Sequence, residues 1–427
     1  MRQLIKKSTS PSRKSRETAS ICEVTFDNHH PNDKVNLMIT ANPLPFHRTT
    51  PKRDSAWIAK DQANARLKLG MCGVGTWVLL SIFGVFVLPS PTIGASLTIE
   101  TLNLGFWIAL YLLISFPFDY HGGVRIPRRF ASPSRTASQF TRRWIRGAGV
   151  HGLALWTIGV LMLVANQVGE WALTTLVFTI VVIGLIQFQL PLARSVASFK
   201  TRSSQAISAR QRQVELDTDE TAFSGGITGW PGFERVLLPS KWKKKLGPDA
   251  YERLVFRRNL AISSGSRTRG LLAVLAWVSL GFVLALWINH ETMNTALGIV
   301  RFALWSTLWQ FLGLLILPTL SRRAAIALDY QQVKRGTAKN DQIAFIKATS
   351  ELEDGEDQRS TFVETIFHPL PSVYNRLKAL DQLPRQQGAW NANRLMLFLA
   401  WASLGLLSRA VHCNAGRPEL WVLPPVD

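Results

Sequence analysis

Acidic residues are scarce in this chain. It sets 28 Asp and Glu against 49 Lys and Arg, for a net charge of +21. Cysteine is scarcer still. Cys22, Cys72 and Cys413 are odd in number and far apart, which excludes both a disulfide framework and a cysteine metal site. No Gly-rich phosphate loop, serine-nucleophile elbow or paired-carboxylate arrangement is visible. The first 69 residues hold no apolar core, so a cleavable signal peptide is not expected there. A basic chain without aromatic interleaving or a recognition motif also gives no reason to expect nucleic-acid binding.

Apolar residues make up 47% of the chain and include 15 Trp. They are gathered into runs such as LLAVLAWVSLGFVLALWI, long enough to span a bilayer. We read spans at 71–88, 102–118, 150–164, 172–190, 271–288 and 296–320. A shorter run, 395–407, is either a seventh span or an interfacial helix. The expected fold is therefore an all-α multi-spanning membrane protein with six or seven helices, and its first partner is the lipid bilayer.

Charge orients the spans. Residues 1–69 carry 13 Lys and Arg, 119–149 carry 7, 193–270 carry 15 and 321–394 carry 11. Together they hold 46 of the chain's 49. The short loops 89–101, 165–171 and 289–295 hold none. The positive-inside rule thus puts the N-terminus and the large loops in the cytoplasm. Residues 1–69 read as a disordered basic tail and 70–192 as a four-helix membrane region. Residues 193–224 read as a linker, and 225–380 as a small, mostly helical cytoplasmic domain that includes the hairpin 271–320. A short hydrophobic segment and tail, 381–427, follow.

Within the domain, GGITGWPG at 225–232 is a turn cluster, and the run from Phe233 to Pro239 is strand-like. Ser240 opens a KWKKKL helix. Gly247-Pro248-Asp249 caps a second helix through Arg258. Leu254, Arg258 and Ile262 share one face of that helix, and two of the three are apolar. An arginine on such a face needs a partner.

A strand ending in Leu-Pro, two helices, a membrane hairpin and two later motifs occur here in a definite order. The later motifs are SRRAAIALD at 321–329 and HPLPSVYNRLKAL at 368–380. In this order the chain resembles the membrane-embedded zinc metallopeptidases, the HtpX-like proteases and the CAAX-prenyl endopeptidases. The resemblance covers about residues 225–380. It matches at Leu237-Leu238-Pro239, at Ser321, Arg322 and Asp329, and at His368, Pro369, Arg376 and Leu380.

It also implies zinc, and here the chain departs from it. The H-E-x-x-H position carries Arg258-Asn259-Leu260-Ala261-Ile262, and the third ligand position carries Ala325. Arg, Ile and Ala give a metal no lone pair, and Asn259 is no general base. The expectation is a pseudopeptidase without zinc that binds membrane-protein segments or a partner. Arg258 then either enters the vacated site beside Asp329 or points to solvent or a lipid phosphate. Arg322, His368, Pro369 and Arg376 have structural or binding roles.

Two other readings stay open. One is an active metalloendopeptidase with substituted ligands. The other is a transporter or channel component, which wants mid-span charges, and Arg301, Asp119 and Glu170 all lie near span ends. His290-Glu291 mimics half a zinc motif but sits in a seven-residue loop. His121 and His151 read as interfacial. His29, His30 and Asp33 stand isolated in the tail, and 351–357 reads as a solvated acidic loop.

Overall fold

The computed structural model describes residues 55–89, 95–130, 136–197, 199–206, 212–220, 222–353, 357–384 and 387–424. Most of residues 1–69, with His29, His30 and Asp33, therefore lies outside the described residues.

Helix α1 (Ser55–Val87) and α2 (Leu97–Tyr120) come first, and a π-helical turn at His121–Arg125 leads from α2 into the short α3 (Ile126–Arg129). α4 runs from Ala137 to Gln187. It starts at a capping box, in which Thr136 and Gln139 satisfy each other's backbone N–H at 3.2 Å. α5 (Gln189–Ala197) follows. After the sheet come α6 (Ser240–Ser263), α7 (Ser266–Asn289) and α8 (Ala296–Lys334). α9 (Lys339–Glu353), α10 (Thr361–Phe367), α11 (Val373–Ala379), α12 (Ala392–Leu399) and the one-turn α13 (Glu419–Val422) complete the chain.

Five helical stretches are long and apolar enough to cross a membrane: Lys60–Val87, Leu97–Arg129, Ala137–Gln187, Ser266–Thr292 and Ala296–Lys334. The expected third and fourth spans both fall in α4, which breaks at Gly169 and Glu170, where φ and ψ leave the helical region. The Nε of Arg146 donates to the carbonyl of Ser195 at 2.8 Å. A straight helix of that length would hold these residues tens of ångströms apart. The chain therefore folds back at the break, and α4 is an antiparallel pair.

The three short connections share one end of the bundle. Gln167 donates to the carbonyl of Asn294 at 3.1 Å, Ala296 N–H to Glu100 at 2.7 Å, and Arg301 to the carbonyl of Leu88.

Residues 193–224 are not a linker. β1 (Lys200–Ala206) and β2 (Arg212–Asp217) pair antiparallel, and β2 runs parallel to β4 (Arg235–Pro239). β3 (Gly226–Thr228) closes the order β1-β2-β4-β3. The polar composition of 201–219 masked two strands, because only Val214 and Leu216 of β2 turn inward. The strand expected to end at Pro239 does so. Gly247, at φ 76°, breaks α6 into the two helices expected there.

The segment 395–407 neither spans nor lies at an interface. α12 has eight residues, about 12 Å of helix against a hydrocarbon core of about 30 Å. No residue from Gly388 to Pro424 is exposed. Leu395 to Leu399, Trp401, Leu407, Leu420 and Trp421 belong to the main hydrophobic core, together with Leu104, Met162, Phe282 and Phe302 of the long helices. α7 admits this segment at Gly270, where a Cβ would collide with the carbonyl of Trp390. What reads as a tail is the interior.

Candidate functional site

The site lies where α6 meets α8. The sequence places Arg258 and Ile262 opposite Ala325 and Asp329. The structure turns α6 by one residue. Arg257 faces α8, donating to the carbonyl of Ala325 at 3.3 Å, to Gln332 at 3.4 Å and to the carboxylate of Asp329. Ala261, one turn on, packs with Ala324 and Leu328 of α8. Ile262 is only partly buried beside that cluster, and Asn259 holds a buried Oδ1 without a hydrogen-bond partner.

Arg258 neither reaches Asp329 nor points to solvent. It is wholly buried, and its two Nη atoms donate to the carbonyls of Ser224 and Leu237. The turn cluster explains how it fits. Gly225 has φ +94°, and a Cβ there would strike both Leu237 and the Arg258 guanidinium. The helix thus ties the sheet with one arginine and α8 with the next. Leu254 and Arg258 form the face toward the sheet, whereas Arg257 and Ala261 form the face toward α8. An amphipathic reading assumes a single buried face, and α6 has two. Arg253 marks the second face one turn earlier, because its carbonyl accepts from Gln332 of α8 at 3.2 Å.

Asp329 is the hub, and it is fully buried. Arg376 of α11 grips it bidentately, Nε at 2.8 Å and Nη2 at 3.0 Å. Gln342 of α9 adds a donor at 3.1 Å and binds Gln332 at 3.0 Å. Helices α6, α8, α9 and α11 therefore converge on one carboxylate.

Arg322 and His368 also come together. Arg322 donates to the carbonyls of Glu364, Thr365 and His368 at 2.9, 2.7 and 3.1 Å, closing the C-terminal end of α10. Glu364, itself buried, accepts from Ser372 N–H at 3.2 Å and Asn375 at 2.8 Å. Pro369 is buried in the turn that follows. The His368 ring lies 5.1 Å from that of His412. Burial first, then the guanidinium of Arg359, holds the His368 imidazole well below its usual pKa. His412 is driven down to about 3 by burial and by Arg394, Arg359, Arg417 and Arg66. Tyr251 of α6 donates to Glu215 at 3.3 Å, and burial and that carboxylate push its phenol up.

The remaining sequence candidates scatter. His290 and Glu291 stand exposed in the α7–α8 turn, 3.9 Å apart. His121 is exposed, but His151 is not interfacial: it is fully buried and stacks on Trp401 at 4.2 Å. Asp119 is also interior. It pairs with Arg409 and accepts from Trp144 at 2.9 Å and Gly416 N–H at 2.8 Å. Arg409 in turn lies 4.3 Å over the Trp421 ring. The contacts of His151 with Trp401 and of Asp119 with Arg409 and Gly416 were hidden because each joins an early helix to the C-terminal segment. Residues 351–353 end α9, and 354–356 lie outside the described residues. Among the described residues no three His, Cys, Asp or Glu side chains gather as a metal-holding group.

No protein-family model matches the chain, and no curated protein matches it. Among solved structures it is similar to the crystal structure of S. mikatae Ste24p, with a TM-score of 0.55 at 13% identity. The match covers 75% of this chain and 84% of that one. At that identity the likeness is one of fold. Ste24p is a CAAX prenyl protease, so the fold is the one the sequence motifs imply.

Proposed function

We propose that this integral membrane protein is a non-catalytic relative of the membrane zinc metallopeptidases, a pseudopeptidase that holds membrane-protein segments or a partner without cleaving them. The observation that carries the reading is the α6–α8 junction. The residues of α6 turned to α8 are Arg257 and Ala261, and α8 presents Ala325. None offers zinc a lone pair. The nearby carboxylate, Asp329, is already engaged by two guanidiniums. These side chains do not fit the ion, and among the described residues of the junction no unengaged carboxylate stands ready to activate a water. A cation bridging two helices has the mechanical effect that a shared metal would have, without the chemistry.

The basic segments are assigned to the cytoplasm by their charge, with the connections 89–101, 165–171 and 289–295 on the other side. Elemental analysis and proteolysis test the function together. Purified protein is expected to carry no stoichiometric zinc and to cleave no casein-type substrate above background. About one zinc per chain, lost on mutating one residue, would overturn the proposal.

A further inference from the structure

Away from the α6–α8 junction, a cavity of about 300 Å³ opens between α1, α8, α10 and the C-terminal segment. That size is at the lower end of small-molecule sites. Its walls are apolar, with Met71 and Val74 from α1, Phe311 and Leu315 from α8, Phe367 from α10 and Leu397 from α12. Met71 and Leu315 are themselves exposed, at 42% and 38%, on helices long enough to cross a membrane. The mouth therefore faces the hydrocarbon of the bilayer.

The other end is cationic. Arg394 lines it beside Asn393, His412 and Cys413, and no Asp or Glu lines the cavity. Arg394 donates to the Cys413 thiol, pairs with no carboxylate among the described residues and has a buried Nε without a partner. A guanidinium in such a setting lacks its usual acidic partner. The neighbouring imidazole brings no positive charge of its own, because burial and the surrounding guanidiniums hold His412 at about 3. Asn393 N–H binds Ser321 at 3.2 Å, beside Arg322, so the cationic end lies toward the basic end of the bundle.

An apolar slot open to the membrane, closed by one unpaired guanidinium, fits an acyl chain that carries an anionic headgroup. We propose that the cavity binds an anionic phospholipid of the surrounding bilayer, its acyl chain along α1 and α8 and its phosphate on Arg394. The charge complementarity is that of the basic pockets between membrane helices that bind anionic headgroups.

Gly75 lines the slot, and a Cβ there would meet nothing within 4 Å. Gly75→Leu therefore starts from open space and puts a bulky side chain in the slot, and Gly75→Ala is its folding control. The full chain, purified in detergent, is examined by native mass spectrometry with palmitoyl-oleoyl phosphatidylglycerol, phosphatidylcholine, dodecanoate and inorganic phosphate as separate probes. Wild type should retain one phosphatidylglycerol with about tenfold preference over phosphatidylcholine, equivalent to about 1.4 kcal/mol. Arg394→Gln should abolish the preference. Gly75→Leu should cut phosphatidylglycerol binding about tenfold with its thermal unfolding unchanged, and Gly75→Ala should bind like wild type. Equal retention of the two phospholipids by wild type would overturn the proposal. So would undiminished binding in Gly75→Leu. Tight dodecanoate or phosphate binding without phosphatidylglycerol would make the occupant a free anion and equally reject it.

Discussion

Arg376 holds Asp329 through two hydrogen bonds, across 47 residues of sequence, and both side chains are buried. Arg257 takes the same carboxylate from α6, so its charge answers to two cations at once. Asp329→Asn should therefore destabilise the protein more than Arg257→Met. The first takes the shared carboxylate from two guanidiniums, whereas the second leaves one good pair. Removing one partner of a buried pair costs roughly 3–5 kcal/mol. The Arg257→Met, Asp329→Asn double mutant should recover part of the loss, with a coupling energy of about 1–3 kcal/mol. Denaturant or thermal unfolding of the four proteins measures it, and simple additivity would show that the two side chains do not interact.

Arg258 should behave differently. It binds the backbone carbonyls of Ser224 and Leu237 rather than Asp329. Arg258→Met takes a donor from each of those carbonyls, and a buried group left unsatisfied costs about 1–3 kcal/mol. Combined with Asp329→Asn, its effect should add within about 0.5 kcal/mol. Gly225→Ala should weaken the same contact, because both the left-handed backbone and the Arg258 guanidinium exclude a Cβ. A strong coupling of Arg258 to Asp329 in the same unfolding assay would contradict the geometry described.

The membrane spans were legible in the sequence because hydropathy and charge act over twenty residues at a time. The motif order around 237–239, 321–329 and 368–380 was also legible, and the structure joins Arg322 to His368 and Arg376 to Asp329 as part of one unit. The rotation of α6 was not. Arg257 and Arg258 are adjacent and chemically identical, so only the neighbouring elements decide which one meets Asp329. Nor was the fate of 388–424 legible. Its apolar run is too short for a span, and its polar residues, Arg409 and Asn414, look like surface until the fold brings their partners to them. Asp119 supplies one, and Ser408 and Trp421 the others.

Acid should loosen the protein. His368 and His412 are held neutral in the folded state, His412 down to about 3. The unfolded chain binds protons on these imidazoles from about pH 6.5 downward, while the folded chain does not. Their contribution is therefore complete above about 6.5 and is lost as pH falls toward the folded values. Each fully depressed imidazole steepens the loss by up to about 1.4 kcal/mol per pH unit. Thermal unfolding in detergent from pH 7.5 to 5 should show this slope, and His412→Asn should flatten it. An equal slope in both proteins would locate the acid sensitivity elsewhere.

Membrane sidedness can be read with single cysteines. Placed in 89–101, 165–171 or 289–295, they should react with an impermeant maleimide from outside the cell. Placed near Lys245, they should react only after the membrane is opened. Outside labelling near Lys245 would reverse the orientation assigned from charge.

The burial of residues 388–424 has a consequence for biosynthesis. All five long helices leave the ribosome before this stretch does. Until it arrives, Asp119 waits without Arg409, and the faces of α2, α4, α7 and α8 that pack on this stretch stay uncovered. The half-made chain must pass through the insertion machinery with those faces bare. Its stability during synthesis then depends on lipids or on a chaperone, until its last hydrophobic turn is in place.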